Sequence, residues 1–140
     1  NDFFAKTLKL EPKKENFKNM INVTVLDEID FSSEESFKKS LKWGWIYEFP
    51  EFKNIAGLYE GAHYVAKERY RPEYSCIMGS GDETITGSRF CIVCSDAIAR
   101  KICELTGKDY DRKIFFNSNP ILYKTDTQND KPLNYKSFKK

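Results

Sequence analysis

Apolar positions fall in short runs with different spacings, divided by charged or turn-forming residues, and the spacings predict a mixture of strands and helices. From Asn1 to Asn19 five lysines and Pro12 interrupt any period, so the segment reads as an irregular arm. Ile21 to Leu26 is β-branched with apolar residues at alternate places, as a short strand requires. Within it Asn22-Val23-Thr24 matches a glycosylation sequon, a triplet common by chance, and reads as plain strand. Ser32 or Ser33, followed by Glu35 or Ser36, marks a helix start; Phe37, Leu41 and then Trp45 follow at the four-residue step of one helical face, and Gly44 is the expected stop of a short helix. Trp43, Trp45, Ile46, Tyr47 and Phe49 form the densest aromatic cluster and belong to the core.

Ile55 to Val65, apolar with Gly57 and Gly61 as permissive points, predicts an extended strand or tight hairpin that Arg71-Pro72 breaks. Tyr74 to Met78 is a compact apolar turn before the loop signal at Gly79-Ser80-Gly81-Asp82. Cys91 to Thr106 is the clearest helix. Val93, Cys94, Ala97, Ile98, Ile102 and Leu105 make its apolar stripe, Asp96, Arg100 and Glu104 its outer face, and Gly107 its stop. Lys113 to Phe116 and Ile121 to Tyr123 read as two strands, and Thr125 to Lys140 as a polar, loosely attached tail. The expected class is α+β, with few helices, short strands and long loops, arranged as one domain over residues 1–124 and a tail over 125–140.

Composition narrows the function. At 140 residues the chain fits one domain, and 40% hydrophobic with 31% charged residues suits a globular protein, with aromatics rich at 15%. Mean hydropathy is −0.63. With 23 Lys and Arg against 21 Asp and Glu, the net charge of +2 gives no field able to grip a polyphosphate, so nucleic acid is not an expected partner. The best apolar run, Cys91 to Leu105, is broken by four charged residues and falls short of the roughly 18 that a membrane helix needs, so no membrane span is expected.

His63 is the single histidine. Neither a Ser/His/Asp nor a Cys/His nucleophilic system can be built without it, and no HExxH zinc motif occurs. Gly79-Ser80-Gly81 lacks the lysine and helix of a phosphate loop. The four cysteines stand at 76, 91, 94 and 103. Cys91-Ile92-Val93-Cys94 has no second close pair to complete a structural zinc site and no βαβ context for a redox dithiol, although a ribbon using Cys76, Cys91, Cys94 and His63 stays open as a third reading. The simplest expectation is a disulfide from Cys76 to Cys91 or Cys94, with Cys103 a buried free thiol. Glu60, among apolar neighbours, is exposed, held by Arg69 or Arg71, or part of a site.

Five pieces in register carry a family resemblance: Gly57-Leu58-Tyr59-Glu60-Gly61-Ala62-His63-Tyr64, Tyr70-Arg71-Pro72, Cys76-Ile77-Met78, Phe90-Cys91-Ile92-Val93-Cys94 and Ala97-Ile98. Together they resemble the IgA-peptidase family of bacterial zinc metallopeptidases, and Asn1-Asp2-Phe3-Phe4, Asn22-Val23-Thr24 and Leu41-Lys42-Trp43 resemble the stretch that follows the zinc-binding helix there. The likeness spans roughly residues 1–106. It implies a metzincin-like fold in which Met78 is the methionine of the turn beneath the metal, with Glu60, Tyr59 and Tyr64 near the substrate cleft. It also implies a protein or peptide substrate and a secreted, cell-surface or periplasmic bacterial setting.

Three departures matter. Ile92 stands where the family usually has Pro, His63 stands where it usually has a small or other residue, and the HExxH helix is absent from these residues. By resemblance the chain is then the C-terminal part of a catalytic domain, partnered by the upstream half, with zinc held by residues outside this chain. Alone it is expected to be inactive and to bind zinc weakly at best. The alternative is a non-catalytic binding or scaffold module derived from the same fold.

Overall fold

The structure is a computed structural model that describes residues 20–62, 65–74, 76–77, 89–120 and 131–139. The N-terminal arm, His63, Tyr64, Met78, the Gly79–Asp82 loop and the strand expected at Ile121–Tyr123 lie outside them. In order, the elements are β1 (Thr24–Val25), α1 (Glu34–Ser40), β2 (Ala56–Ala62), β3 (Val65–Glu73), α2 (Ile92–Thr106) and α3 (Arg112–Ser118). The strands form one antiparallel sheet in the order β1-β3-β2, so the expected α+β class holds.

Local chemistry explains the boundaries. Ser33 caps α1 by accepting the Ser36 N–H at 3.0 Å, with Glu34 and Glu35 in the first turn and Lys38 and Lys39 in the last, each pair complementing the helix dipole. The helix ends at Ser40, before the expected stop at Gly44. Gly44 instead opens a 3-10 turn, Gly44–Glu48, where a Cβ would stand 1.9 Å from the Lys38 carbonyl oxygen, so only glycine lets the chain double back on α1. That return buries Trp43, whose indole Nε1 donates to the Gly57 carbonyl at 2.8 Å. Around it pack Phe37, Leu41, Ile46, Phe49, Phe52, Leu58 and Phe116.

Five further expectations need correction. Pro72 does not break β3, which runs on to Glu73; β1 pairs only with Arg69 and Tyr70, so the missing proline N–H lies beyond that ladder. Residues 113–116 are helical, because the Asp111 carboxylate accepts the Ile114 N–H at 3.1 Å and starts a turn that the β-forming Ile and Phe do not reveal. The tail is not loose over 131–139: Leu133 exchanges backbone hydrogen bonds with Leu58, and the Phe138 ring lies 4.9 Å from that of Phe31. Gly57 permits this close approach, since a Cβ there would meet Pro132 at 2.6 Å. Finally Asp96 faces inward, 2% exposed, and Cys103 is half-buried rather than buried.

Asp96 is satisfied where it lies. Its Oδ1 accepts from the Tyr110 hydroxyl at 2.6 Å and from Arg112 Nε at 2.8 Å, while Oδ2 accepts from Arg112 Nη2 at 3.1 Å. The guanidinium also lies 4.0 Å from the Trp45 ring centroid. A buried carboxylate with this bidentate partner ties α2 and α3 to the aromatic core.

Candidate functional site

Three cysteines converge where the end of β3 meets the start of α2. Cys91 is the N-cap of α2 and Cys94 its third residue, so the two-residue gap puts both side chains on the first helical turn. Cys76 arrives from the bend after β3. The three Sγ atoms lie within 4.8 Å of one another, with Cys76 and Cys94 separated by 3.7 Å, and all are unbridged. Cys91 and Cys94 are buried and Cys76 half-buried.

Each sulfur accepts a hydrogen bond from nitrogen. The Cys91 N–H reaches Cys76 Sγ at 3.2 Å, the Cys94 N–H reaches Cys91 Sγ at 3.4 Å, and Asn22 Nδ2 reaches Cys94 Sγ at 3.5 Å. The first two donors belong to the N-terminal turn of a fifteen-residue helix, whose dipole favours negative charge there. As thiols Cys91 and Cys94 hold their protons. Hydrogen bonding to Cys76 and burial push Cys94 up to about 12, and the contacts with Cys76 and Cys94, together with burial, raise Cys91 well above its ordinary value.

Glu73 completes the corner, and nothing in the sequence singled it out because the strand was expected to stop before it. Buried at the end of β3, it accepts from Arg89 Nη2 at 2.9 Å through Oε1 and from the Ile92 N–H through Oε2. The departure at Ile92 therefore has a use. A proline there has no N–H to give Glu73. The Ile77 N–H donates to the Arg89 carbonyl at 2.9 Å, a second tie beside the Cys91 N–H contact to Cys76.

A second candidate lies on β2. Tyr59 and Glu60 line an open cavity of about 270 Å³ together with Leu58, Arg71, Tyr74, Lys131 and Leu133. The Glu60 carboxylate pairs with Lys67 at 3.1 Å and accepts the Glu68 N–H at 3.3 Å. Glu68 has φ of 60°, a left-handed conformation rare for a side chain, and Glu60 helps to hold it. Arg71 leaves the carboxylate to Lys67 and binds main-chain carbonyls instead, those of Glu60 and Gly61 at 2.8 Å and of Tyr74 at 3.1 Å. It sits 5.8 Å from the ring centroids of both Tyr59 and Tyr74. The groove thus offers a cation, an anion and two aromatic rings, which is binding chemistry. Tyr64 and Met78 lie outside the described residues.

A hydrolytic zinc combines histidine or carboxylate ligands with an open position. Among the described residues the donors that converge are all sulfur, and no histidine is among them. These residues therefore lack the histidine and carboxylate ligand set of a hydrolytic zinc centre.

No helix among the described residues is long and apolar enough to cross a membrane. Comparison with curated proteins and with solved structures gave no match. The family model for IgA Peptidase M64 matches residues 28–102, from the turn after β1 through β2, β3 and the cysteine corner into α2. That match covers more than half of the chain and includes the three cysteines and the β2–β3 side of the groove: the chain belongs to the IgA Peptidase M64 family, a family of peptidases.

Proposed function

We propose that the chain is the C-terminal portion of a secreted, zinc-dependent, metzincin-like peptidase domain, and that its HExxH zinc site lies in a preceding segment. The observation that carries this reading is the family match over residues 28–102, set beside a sequence with one histidine and no HExxH. In this role the chain supplies a cleft wall, with Tyr59, Glu60 and Tyr64 facing a peptide and Met78 forming the apolar floor below the metal. When bound by the preceding segment, zinc would lower the pKa of a water for attack on the peptide carbonyl. The chain's own residues bind and orient.

The far half of α2 supports a missing neighbour. Ile98, Ile102 and Leu105 are 40, 55 and 73% exposed at helical spacing, an apolar stripe suited to the preceding half of the same domain. The test compares the 140 residues with the whole reading frame in hydrolysis of a mixed protein substrate. The chain alone should be inactive, and the whole frame active and silenced by a chelator. Cleavage by the chain alone, or an upstream frame without HExxH, would refute the reading.

A second reading, a non-catalytic binding module, draws on the groove itself. Glu60, Arg71, Lys131 and the two tyrosine rings can grip a peptide without any reacting group. It is favoured if the whole frame lacks HExxH yet still binds peptides through Tyr59.

A further inference from the structure

We propose that Cys76, Cys91 and Cys94 form a zinc site of their own, separate from any hydrolytic metal, with solvent in the fourth position. The sulfur spacing matches a metal. Sulfurs about 2.3 Å from a tetrahedral zinc stand about 3.8 Å apart. Cys76 and Cys94 are already 3.7 Å apart, and the third sulfur lies within 4.8 Å of each. A disulfide would require one pair to close to about 2.05 Å, leaving the third thiol idle.

The surroundings suit bound thiolates. Every sulfur faces an N–H donor, two of them at the start of α2, where the helix dipole favours anions. The pairing of a helix-start Cys-x-x-Cys with a third cysteine from a neighbouring bend also explains what the metal would do. It would clamp the segment after β3 to the start of α2. On binding, each thiol gives its proton to solvent as its sulfur–metal bond forms, and no electrons are exchanged.

Weak zinc binding is the expectation from the sequence because the HExxH helix is absent from it, and the spacing shows only one close cysteine pair. Folding supplies the third sulfur from fifteen residues away, as the Cys91 N–H contact to Cys76 shows. Soft, thiolate-only donors select zinc or its analogues over hard cations such as magnesium. The site needs nothing from the HExxH segment, so it stands or falls independently of the peptidase reading.

The test uses the reduced chain, stripped with chelator and titrated with cobalt(II), then with zinc. The expected result is one equivalent of cobalt giving sulfur-to-metal charge-transfer and tetrahedral d–d bands that zinc abolishes. Thiol reagent should then count one reactive thiol, Cys103, in the zinc form and four after chelation. Cys103→Ser should keep the bands, and Cys76→Ser, Cys91→Ser or Cys94→Ser should lose or shift them. Because a corner variant could fail to fold, the wild-type spectrum and thiol count decide. Absent charge-transfer bands, or two reactive thiols in non-reduced protein whether or not chelator is present, would overturn the proposal, the latter in favour of a disulfide.

Discussion

The two ends of α2 are built from one apolar stripe and meet opposite fates. At the N-terminal end Cys91, Ile92, Val93, Cys94, Ser95 and Asp96 are all buried. Each polar group described there has a partner: Asn22 for Cys94, Glu73 for the Ile92 N–H, and Tyr110 with Arg112 for Asp96. At the C-terminal end Ile98, Ile102 and Leu105 stand in solvent, and the helix is stopped by Gly107 in the left-handed conformation. Periodicity fixes which residues share a face. It does not say which part of that face has something to pack against, and here the difference separates a closed structural corner from a surface suited to a partner.

The largest effect should come from cutting the closed end. Arg112→Ala leaves the buried Asp96 carboxylate without its bidentate partner, with Arg100 only at 4.0 Å, and should cost about 3 kcal/mol in denaturant unfolding. A loss below about 0.5 kcal/mol would mean that Asp96 is solvated or protonated in the folded chain.

Next in size is the alkaline response of the same end without metal. The folded pKa of Cys94, about 12, lies above its ordinary value of 9.0, so the folded state holds a proton that the unfolded state releases. That contribution is whole below about pH 9 and is lost as pH rises toward about 12. Unfolding curves of the metal-free chain across this range should show the loss, and Cys94→Ala should reduce it, with Cys91 supplying the remainder. Zinc should reverse the sign, since protons compete with the metal as pH falls.

The open end should respond least. Ile102→Ser and Leu105→Ser remove apolar groups that are already in water, so each should change the stability of the chain by less than about 0.5 kcal/mol. In the whole reading frame the same substitutions should loosen the domain, seen as faster proteolysis. Equal tolerance in both settings would argue that nothing covers the stripe.

Much of α2 was legible in the sequence, because a fifteen-residue helix repeats its period several times and ends on a glycine. Asp96 was misread for the same reason. A helical wheel places a charge outward unless its partner is known, and that partner sits on α3, a seven-residue helix whose Ile and Phe residues read as strand. The Asp111 cap was the one local signal for it. Glu60 and Tyr59 were found as candidates, and the structure brings them together in one groove, but the partner of Glu60 is Lys67 across an irregular hairpin rather than either arginine. The cysteine corner shows the limit most clearly. Spacing alone revealed the pair at 91 and 94, while Cys76 joins it only because β3 continues through Pro72 and delivers the bend to the start of α2.

The most direct test of the closed corner is native mass spectrometry of the full chain, purified without chelator and with reductant present only until the final step. The account predicts one bound zinc and the mass of a chain with all four cysteines reduced. A metal-free species lighter by two hydrogens would contradict it, because the corner would then be closed by a covalent bond between two sulfurs.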